Sequence, residues 1–304
     1  MKRNFFDPTI VRKSNIVDDR IASLPRGLPL PSIIEISESG TCNRACAFCP
    51  RSAPGFPDIK EFIDISLLQK LFSEVADVGF KGLVLFSGFV EPLLDKNIFE
   101  KVKLVRDLIP GCRIEMVTNG DVLKEEILKK LVANGLDTLL ISVYDGKEDA
   151  DRFVAMCQRA GLNENQFVIR NRYLSENEDF GMTISNRSGM LENAEYVRPP
   201  LKEPLKLPCF YPSYLFFMDY LGDVLLCPHD WGKTKILGNL KKQSFIEIWG
   251  SQMAIAARKQ LNHGNRNLKP CNVCDVEGTY IGKRHAELWA NLGDYQIMDV
   301  FEKK

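Results

Sequence analysis

The sequence has no excess charge of either sign, few histidines and no long apolar run. Forty Lys and Arg residues balance forty Asp and Glu residues, and the 304 residues include three His. A balanced charge supplies none of the cationic excess that binds nucleic acids or anionic membranes. No apolar run approaches the roughly 18 to 20 residues that span a bilayer. We therefore expect neither nucleic acid nor a membrane as a partner.

The N-terminal segment also lacks the pattern of a secretion signal. Lys2 and Arg3 are basic, but Asp7 and Pro8 interrupt the segment before an apolar core of signal-peptide length can form. With 45% hydrophobic residues, the chain has enough apolar side chains for a core of its own. We expect a cytoplasmic protein of about two domains' length.

Cysteines make up about 3% of the sequence, nine in all, which is well below the roughly 8 to 10% of disulfide scaffolds. A disulfide framework is therefore not expected. Seven of the nine fall in two groups, and clustered thiols in a reducing compartment indicate metal ligands. Cys112 and Cys157 stand alone. The groups are Cys42, Cys46 and Cys49, and then Cys209, Cys227, Cys271 and Cys274.

The first group reads C-x-x-x-C-x-x-C and follows a predicted strand over 33–38. Three thiolates on one short loop can hold three irons of a four-iron four-sulfur cluster, whose fourth iron then lacks a protein ligand. A zinc site would need a fourth ligand, and the nearest spare thiol, Cys112, is far along the chain. The spacing favours a cluster with one open iron, with zinc as the alternative.

Short β-rich runs alternate with amphipathic helical runs after Cys49. Strands are predicted over 33–38, 82–87, 113–118, 138–143, 167–172 and 182–185, and helices over 66–78, 97–108, 123–134 and 147–159. This alternation indicates βαβ units and a parallel sheet, so we predict an α/β fold. Barrel enzymes of this kind carry their chemistry at the C-terminal ends of the strands, and the cysteine loop follows the first strand there.

The cysteine loop, with Phe48 before its third cysteine, resembles the C-x-x-x-C-x-aromatic-C loop of the radical S-adenosylmethionine (SAM) superfamily. The resemblance implies a partial (β/α)6 barrel and a [4Fe-4S] cluster on Cys42, Cys46 and Cys49, whose open iron binds SAM. It further implies that one electron cleaves SAM into methionine and a 5′-deoxyadenosyl radical, which takes a hydrogen atom from the substrate. A flavodoxin or ferredoxin-type reductant is the implied source of that electron.

The resemblance also assigns SAM contacts at the strand ends. The turn over 87–92 corresponds to a Gly-rich run ending in Glu-Pro that contacts the SAM amino group, although Phe89 and Val90 stand where glycines are usual. From the residues alone, Asn119 with Gly120 is an ordinary turn, and the arginines of the fifth strand form a solvated edge. The SAM contacts implied by the resemblance are Phe48, Ser87, Gly88, Glu91, Asn119, Ser142, Arg170 and Arg172.

A proline-rich segment precedes the second thiol group. Pro199, Pro200, Pro204 and Pro208 disfavour both helix and central strand. Beyond them, a hairpin is predicted over 214–218 and 223–227, a helix over 245–261, and then the closing C-x-x-C. We place an N-terminal extension at 1–32, the barrel at 33–200, a small C-terminal hairpin and helix domain at 205–280, and a tail helix at 281–304.

The four thiols of the second group suit zinc or an iron–sulfur cluster, since tetrahedral sulfur coordination serves both. Their layout resembles the twitch module, a short SPASM extension with one auxiliary [4Fe-4S] cluster, and especially the radical SAM dehydrogenases of aminoglycoside assembly. The resemblance implies an auxiliary cluster on all four thiols. With no open iron, such a cluster suits electron transfer.

These expectations predict an oxidoreductase that converts a secondary alcohol of a sugar, aminocyclitol or nucleotide sugar to a ketone. Arg187, His229 and Asp230 follow the sixth strand or the hairpin and are the candidate catalytic residues. An unperturbed pKa near 6.5 would suit His229 as the base; the alternative is a surface histidine beside a cluster ligand.

Three other functions remain open at this stage. Radical SAM epimerases commonly quench the substrate radical with a cysteine, but Cys112 precedes the third strand and Cys157 lies in a predicted helix. Dehydrogenation is therefore favoured over epimerisation. Modification of a peptide and a non-catalytic iron–sulfur electron carrier are the further alternatives.

Overall fold

A single sheet organises the part of the chain that the computed structural model describes, which is residues 8–19, 21–24, 27–57, 59–88, 90–174, 185–191 and 199–292. Its strands are β1 (Ile33–Ser37), β2 (Leu83–Phe86), β3 (Arg113–Thr118), β4 (Thr138–Val143), β5 (Phe167–Asn171), β6 (Leu215–Asp219), β7 (Asp223–Leu225) and β8 (Ile236–Asn239). They lie in the order β5-β4-β3-β2-β1-β6-β7-β8. Neighbours from β5 to β6 are parallel, whereas β6, β7 and β8 form antiparallel pairs.

Helices connect the successive parallel strands from β1 to β5 and cover one face of the sheet, and further helices precede β1 and follow β5. They are α1 (Pro8–Asp19), α2 (Ile65–Asp77), α3 (Ile98–Leu108), α4 (Glu125–Ala133), α5 (Lys147–Arg159), α6 (Tyr211–Tyr214), α7 (Phe245–Trp249), α8 (Gln252–Asn262) and α9 (Lys283–Ala290). In α2, the fully buried Leu68, Leu71 and Val75 recur every three to four residues, and the Asp64 side chain caps the helix. The resulting βαβ units confirm the predicted α/β fold with a parallel sheet.

The two faces of the sheet bury different clusters. Ile34 and Ile36 of β1 point to the helices and join the larger apolar core. Ile33 points the other way and joins a smaller cluster with Leu83 and Leu85 of β2. This alternation follows from the two-residue period of a strand. Glu35 shares the inner face with Ile33, so a carboxyl group stands where the strand pattern otherwise places apolar side chains.

The edge of the barrel sheet is completed by the predicted C-terminal hairpin. That hairpin is confirmed as β6 and β7, and β6 pairs in parallel with β1, with Ile33 opposite Leu215. This pairing satisfies the backbone groups at the edge of β1. The predicted strand over 182–185 falls largely on residues 182–184, which lie outside the described residues. The division into domains stays a prediction.

The predicted helix over 245–261 was wrong as a single element. The chain instead forms α7 and α8, with α7 ending at Gly250. Ser251 then caps α8 by accepting a hydrogen bond from the Ala254 backbone N–H. A serine in this position competes with helix continuation, because its side chain offers the backbone an alternative partner.

Helix α1 packs against the inner face of the sheet. Val17 is fully buried in the inner cluster. Arg12 donates to Glu115 at 3.0 Å and to Thr138 Oγ1 at 3.0 Å, both on the inner strands β3 and β4. His285 of α9 lies 3.2 Å from the Val17 carbonyl oxygen. Helix α1 of the N-terminal extension is therefore part of the packed barrel.

In the described ranges, no helix combines the length and apolar character needed to cross a membrane.

Candidate active site

A cavity of about 530 Å³ lies at the C-terminal ends of the parallel strands, and it brings most of the predicted site residues together. Its size is typical of small-molecule sites. All eight predicted SAM-contact residues line it, together with the first three thiols and two of the three catalytic candidates. Those lining residues are Cys42, Cys46, Phe48, Cys49, Ser87, Gly88, Glu91, Asn119, Ser142, Arg170, Arg172, Arg187 and His229.

The first thiol group forms a compact loop at the rim of this cavity. The Cys49 backbone N–H donates to the Cys46 carbonyl oxygen at 2.9 Å, which closes the loop. Burial raises the pKa of Cys46 to about 11, and the neighbouring Cys49 and Cys42 thiols add to the rise. Arg44 donates to Asp121 through Nε at 2.7 Å, which ties the loop to the end of β3. Such thiols ionise when they coordinate a metal centre, since the metal charge stabilises the thiolate.

The donor set of the first group, three thiols on one loop, is that of a four-iron cluster with one open iron. In the described part of the chain, no three His, Cys, Asp or Glu side chains have the close spacing of a site for a single metal ion. The three thiols nevertheless share the cavity wall and act on each other's pKa.

The turn after β2 is held by Glu91. Its carboxylate accepts from Thr118 Oγ1 at 2.7 Å and from the Asn119 backbone N–H at 2.6 Å. Burial raises the pKa of Glu91 to about 7. Gly88 in the same turn has a φ of +106°, and an added Cβ would lie 2.9 Å from Ser37 Cβ. Glycine is therefore required there, and the carboxylate of Glu91 is used to shape the turn.

The second thiol group lies beneath the hairpin. Burial raises the pKa of Cys227 well above its usual range, and Cys271, Cys274 and Cys209 add to the rise, which places all four thiols in one neighbourhood. Arg266 holds the surrounding loops by donating to the carbonyl oxygens of residues 207, 208 and 276 at 2.8, 2.7 and 2.5 Å. Residues 275–278, which follow Cys274, reach the cavity wall.

The structure brings two of the three catalytic candidates, Arg187 and His229, into contact. Arg187 has a φ of +47°, which is rare for a residue with a side chain and is typical of functional turns. Its Nη1 donates to His229 Nδ1 at 3.5 Å. Burial, followed by the charge of Arg187, lowers the pKa of His229 to about 3. The expected pKa near 6.5 for His229 is thus not what its surroundings produce.

Asp230 has a different position from the other candidates. It does not line the cavity, and it is 1% exposed. Its carboxylate accepts from the backbone N–H groups of Thr234 at 2.9 Å and Lys235 at 2.7 Å. These bonds form the turn between β7 and β8. The carboxylate of Asp230 thus shapes this turn, and its catalytic role stays a prediction.

Comparison with known proteins identifies the family. Residues 36–169 match the radical SAM superfamily, and residues 209–275 match an iron–sulfur cluster-binding domain, SPASM. The chain is 30% identical over 250 residues to the S-adenosyl-L-methionine-dependent 2-deoxy-scyllo-inosamine dehydrogenase of Niallia circulans, covering 81% of this chain and 94% of that protein. The chain belongs to the radical SAM superfamily. Its cofactors are SAM and [4Fe-4S] clusters, and the predicted family resemblance is confirmed.

Solved structures of the superfamily share this fold. The crystal structure of BtrN in complex with AdoMet and 2-DOIA superposes with a TM-score of 0.69 at 27% identity, covering 83% of this chain and 97% of that one. The structure of anSMEcpe with bound AdoMet superposes with a TM-score of 0.51 at 13% identity, covering 90% of this chain and 95% of that one, which shows the fold alone.

Sequence reasoning missed several side chains of this radical SAM cavity. Ile10 and Lys13 of α1 line it, as does Glu35 of β1, which accepts from Ser87 Oγ at 2.5 Å. Tyr144 stacks on Phe48 with ring centroids 5.5 Å apart. A charged residue inside the apolar β1 pattern was a usable signal for Glu35. Nothing local to α1 indicated that it would reach the cavity.

Proposed function

We propose that this protein is a radical SAM dehydrogenase that oxidises a secondary alcohol of a sugar, aminocyclitol or nucleotide sugar to a ketone. The supporting observation is that one cavity is lined by the first thiol group and by residues 275–278, directly after Cys274 of the second group. A substrate in that cavity lies between the two thiol groups. The similarity to the 2-deoxy-scyllo-inosamine dehydrogenase supports the same class of reaction.

Each thiol group fits a different cofactor in this proposal. Cys42, Cys46 and Cys49 would hold the cluster that binds SAM, and Cys209, Cys227, Cys271 and Cys274 would hold the auxiliary cluster. When bound, SAM with its cluster supplies the radical that takes a hydrogen atom from the carbinol carbon, and the auxiliary cluster accepts the remaining electron. A side chain of the cavity accepts the hydroxyl proton. Loss of one hydrogen atom, one proton and one electron converts the alcohol to a ketone.

Arg187 is placed to act on the substrate oxygen. Burial lowers its pKa, while Cys49 and Asp275 are close enough to counter that effect, so the guanidinium stands between the two thiol groups. A buried guanidinium stabilises the negative charge that develops on an oxygen as its proton leaves. Arg187 therefore orients the hydroxyl in this proposal and stabilises the developing alkoxide.

Two groups of the cavity can take the proton. His229 lies beside Arg187 and is neutral, but its lowered pKa makes it a weak base. Glu35 contributes a carboxylate from the inner face of β1. His229→Gln and Glu35→Gln, compared for the rate of ketone formation at equal SAM binding, identify the acceptor: its loss slows the reaction, while the other variant turns over normally.

Dehydrogenation is favoured over epimerisation by the positions of the two lone cysteines. Cys112 and Cys157 are 4% and 0% exposed in the helix-covered core. Neither lines the cavity. They are thus not placed to return a hydrogen atom to a substrate radical.

The proposal is tested with anaerobically reconstituted protein, a chemical reductant and 2-deoxy-scyllo-inosamine as the first candidate substrate. We expect ketone and 5′-deoxyadenosine in equal amounts, no solvent deuterium on the product carbon, and complete loss of SAM cleavage in Cys42→Ala. Cys112→Ala is the matched control and should cleave SAM normally. An epimerised product carrying solvent deuterium would refute dehydrogenation, and SAM cleavage by Cys42→Ala would refute the assignment of the first thiol group.

A further inference from the structure

Helix α1 is a wall of the active-site cavity. The helix is anchored on the inner face of the sheet by the ion pair between Arg12 and Glu115, with 3.0 Å between Nη2 and Oε1. Arg284 of α9 donates to the Asp18 carbonyl oxygen at 2.8 Å, and Val17 is fully buried. Glu115 is itself 1% exposed on its side chain, so the anchor lies deep in the barrel. Because these contacts anchor α1, the side chains that it directs to the cavity have defined positions.

Lys13 is the charged side chain that this helix presents to the cavity. It lines the cavity and is half-buried. Its ammonium group forms no ion pair with any residue in the described ranges, and it acts electrostatically on His229. A partly buried cation without a counter-charge is unfavourable unless a ligand supplies one.

Arg187 also lines the cavity. It contacts His229 at 3.5 Å, and its Nε is buried with no hydrogen-bond partner. No ion pair of Arg187 is found within the described part of the chain. Lys13 and Arg187 line the same cavity, and both act on His229. The unpartnered Nε leaves part of the guanidinium available to a ligand.

Acidic groups of the cavity wall already accept hydrogen bonds from the protein. Asp275, whose charge acts on Arg187, accepts from the Asn186 backbone N–H at 2.9 Å. Glu91 accepts three hydrogen bonds from the turn and from β3. Glu35 accepts from Ser87. Arg44, by contrast, is a cavity cation that is neutralised, since it pairs with Asp121 and Asp145, both at 2.5 Å. The difference between Arg44 and the other two cations indicates a place for an external anion.

We propose that Lys13 and Arg187 form a subsite for an anionic oxygen group of the substrate, a phosphate or a carboxylate. The guanidinium offers a planar pair of donors and the ammonium a compact charge, a combination that suits both groups. This inference rests on the proposed function and narrows it. It favours nucleotide sugars, sugar phosphates and sugar acids over substrates that place an amino group beside these cations.

The test compares three ligands that differ in one substituent: glucose 1-phosphate, glucuronate and glucose. Each is titrated by calorimetry into anaerobically reconstituted, SAM-loaded protein, so that the SAM carboxylate occupies its own site. We expect at least one of the two anions to bind more tightly than glucose. The anion that gains affinity identifies the group as phosphate or carboxylate. If neither anion binds more tightly than glucose, the proposal is overturned by the wild-type measurements alone.

The variants assign the effect to Lys13. Lys13→Gln should weaken binding of the preferred anion at least about tenfold, the loss typical of a charged hydrogen bond, and leave glucose binding unchanged. Lys13→Arg should restore most of the affinity. Lys103→Gln removes an exposed lysine that pairs with Asp107 on α3 and is the matched control. A loss below tenfold in Lys13→Gln, or an equal loss in Lys103→Gln, overturns the proposal.

Failure of the subsite and failure of the proposed function are separate outcomes. The same wild-type samples are assayed for reductive cleavage of SAM to 5′-deoxyadenosine. Absence of cleavage counts against the proposed function, whatever the anions do. Cleavage without any preference for an anion counts against the subsite alone.

Discussion

Replacing Gly278 with alanine should remove the auxiliary cluster and leave the SAM cluster in place. Gly278 has a φ of +69°, and an added Cβ would lie 2.5 Å from Cys209 Sγ. Ordinary contacts begin at 3.4 Å, so the sulfur has to move by about 0.9 Å, the difference between the two distances. Metal–ligand distances tolerate only about 0.2 Å. The thiol can therefore no longer serve as a ligand.

Gly264 provides a matched control. It also has a positive φ, +78°, but the nearest atom to its added Cβ is 3.6 Å away and belongs to the backbone. Both alanine variants share a backbone penalty of about 1 to 2 kcal/mol for a left-handed conformation. Gly278→Ala adds the collision with Cys209. The difference between the variants thus isolates the displaced thiol.

Anaerobic iron and sulfide analysis distinguishes the outcomes. We expect about eight irons in the wild type and in Gly264→Ala, and about four in Gly278→Ala, as one four-iron cluster is lost. SAM cleavage should survive in Gly278→Ala, because the first thiol group is untouched. Equal iron in the two variants, whether high or low, would refute the reasoning that Cys209 is a ligand.

Three other outcomes follow from the same structure. Cys271→Ala should spare SAM cleavage while lowering ketone formation at least about tenfold; unchanged ketone yield would remove the electron-acceptor role. Gly88→Ala should weaken SAM binding measured by calorimetry, whereas Gly161→Ala, with a similar φ but nothing within 4 Å, should not; equal affinities would contradict this. Burial lowers the pKa of His285 from 6.5 to about 4, so the unfolded chain takes up a proton first as the pH falls. Acidification from pH 7.5 to 5 should therefore lower the contribution of His285 to the free energy of unfolding by about 2 kcal/mol. Urea unfolding of the wild type and of His285→Gln at both pH values should differ in pH dependence by that amount; equal dependences would contradict it.

Local patterns in the sequence were sufficient for the family and for the motif-bearing part of the cavity lining. The spacing of Cys42, Cys46 and Cys49 is a property of one short loop. The alternation of strands and helices follows from residue periodicity. Because parallel strands bring their C-terminal ends to one edge, residues such as Asn119 and Ser142 could be expected near that loop, and both line the cavity.

The ends of helices were harder to predict from the sequence, because they depend on single residues. The break between α7 and α8 rests on Gly250 and the capping side chain of Ser251. A periodic apolar pattern runs through such a break without change. Capping decides the boundary through one hydrogen bond, which periodicity does not report.

The sequence by itself determined the cysteine loop and the βαβ units, because each depends on residues that are close along the chain. The four thiols of the second group are spread along the chain and are brought into one neighbourhood by folding. Only the tertiary structure decided that β6 completes the sheet beside β1 and that α1 brings Lys13 to the cavity. These contacts join segments that are far apart in sequence. They depend on which strand edges and which sheet faces are still exposed once the local βαβ units have formed. The lowered pKa of His229 likewise arises from burial and from Arg187, and burial exists only once the chain has folded.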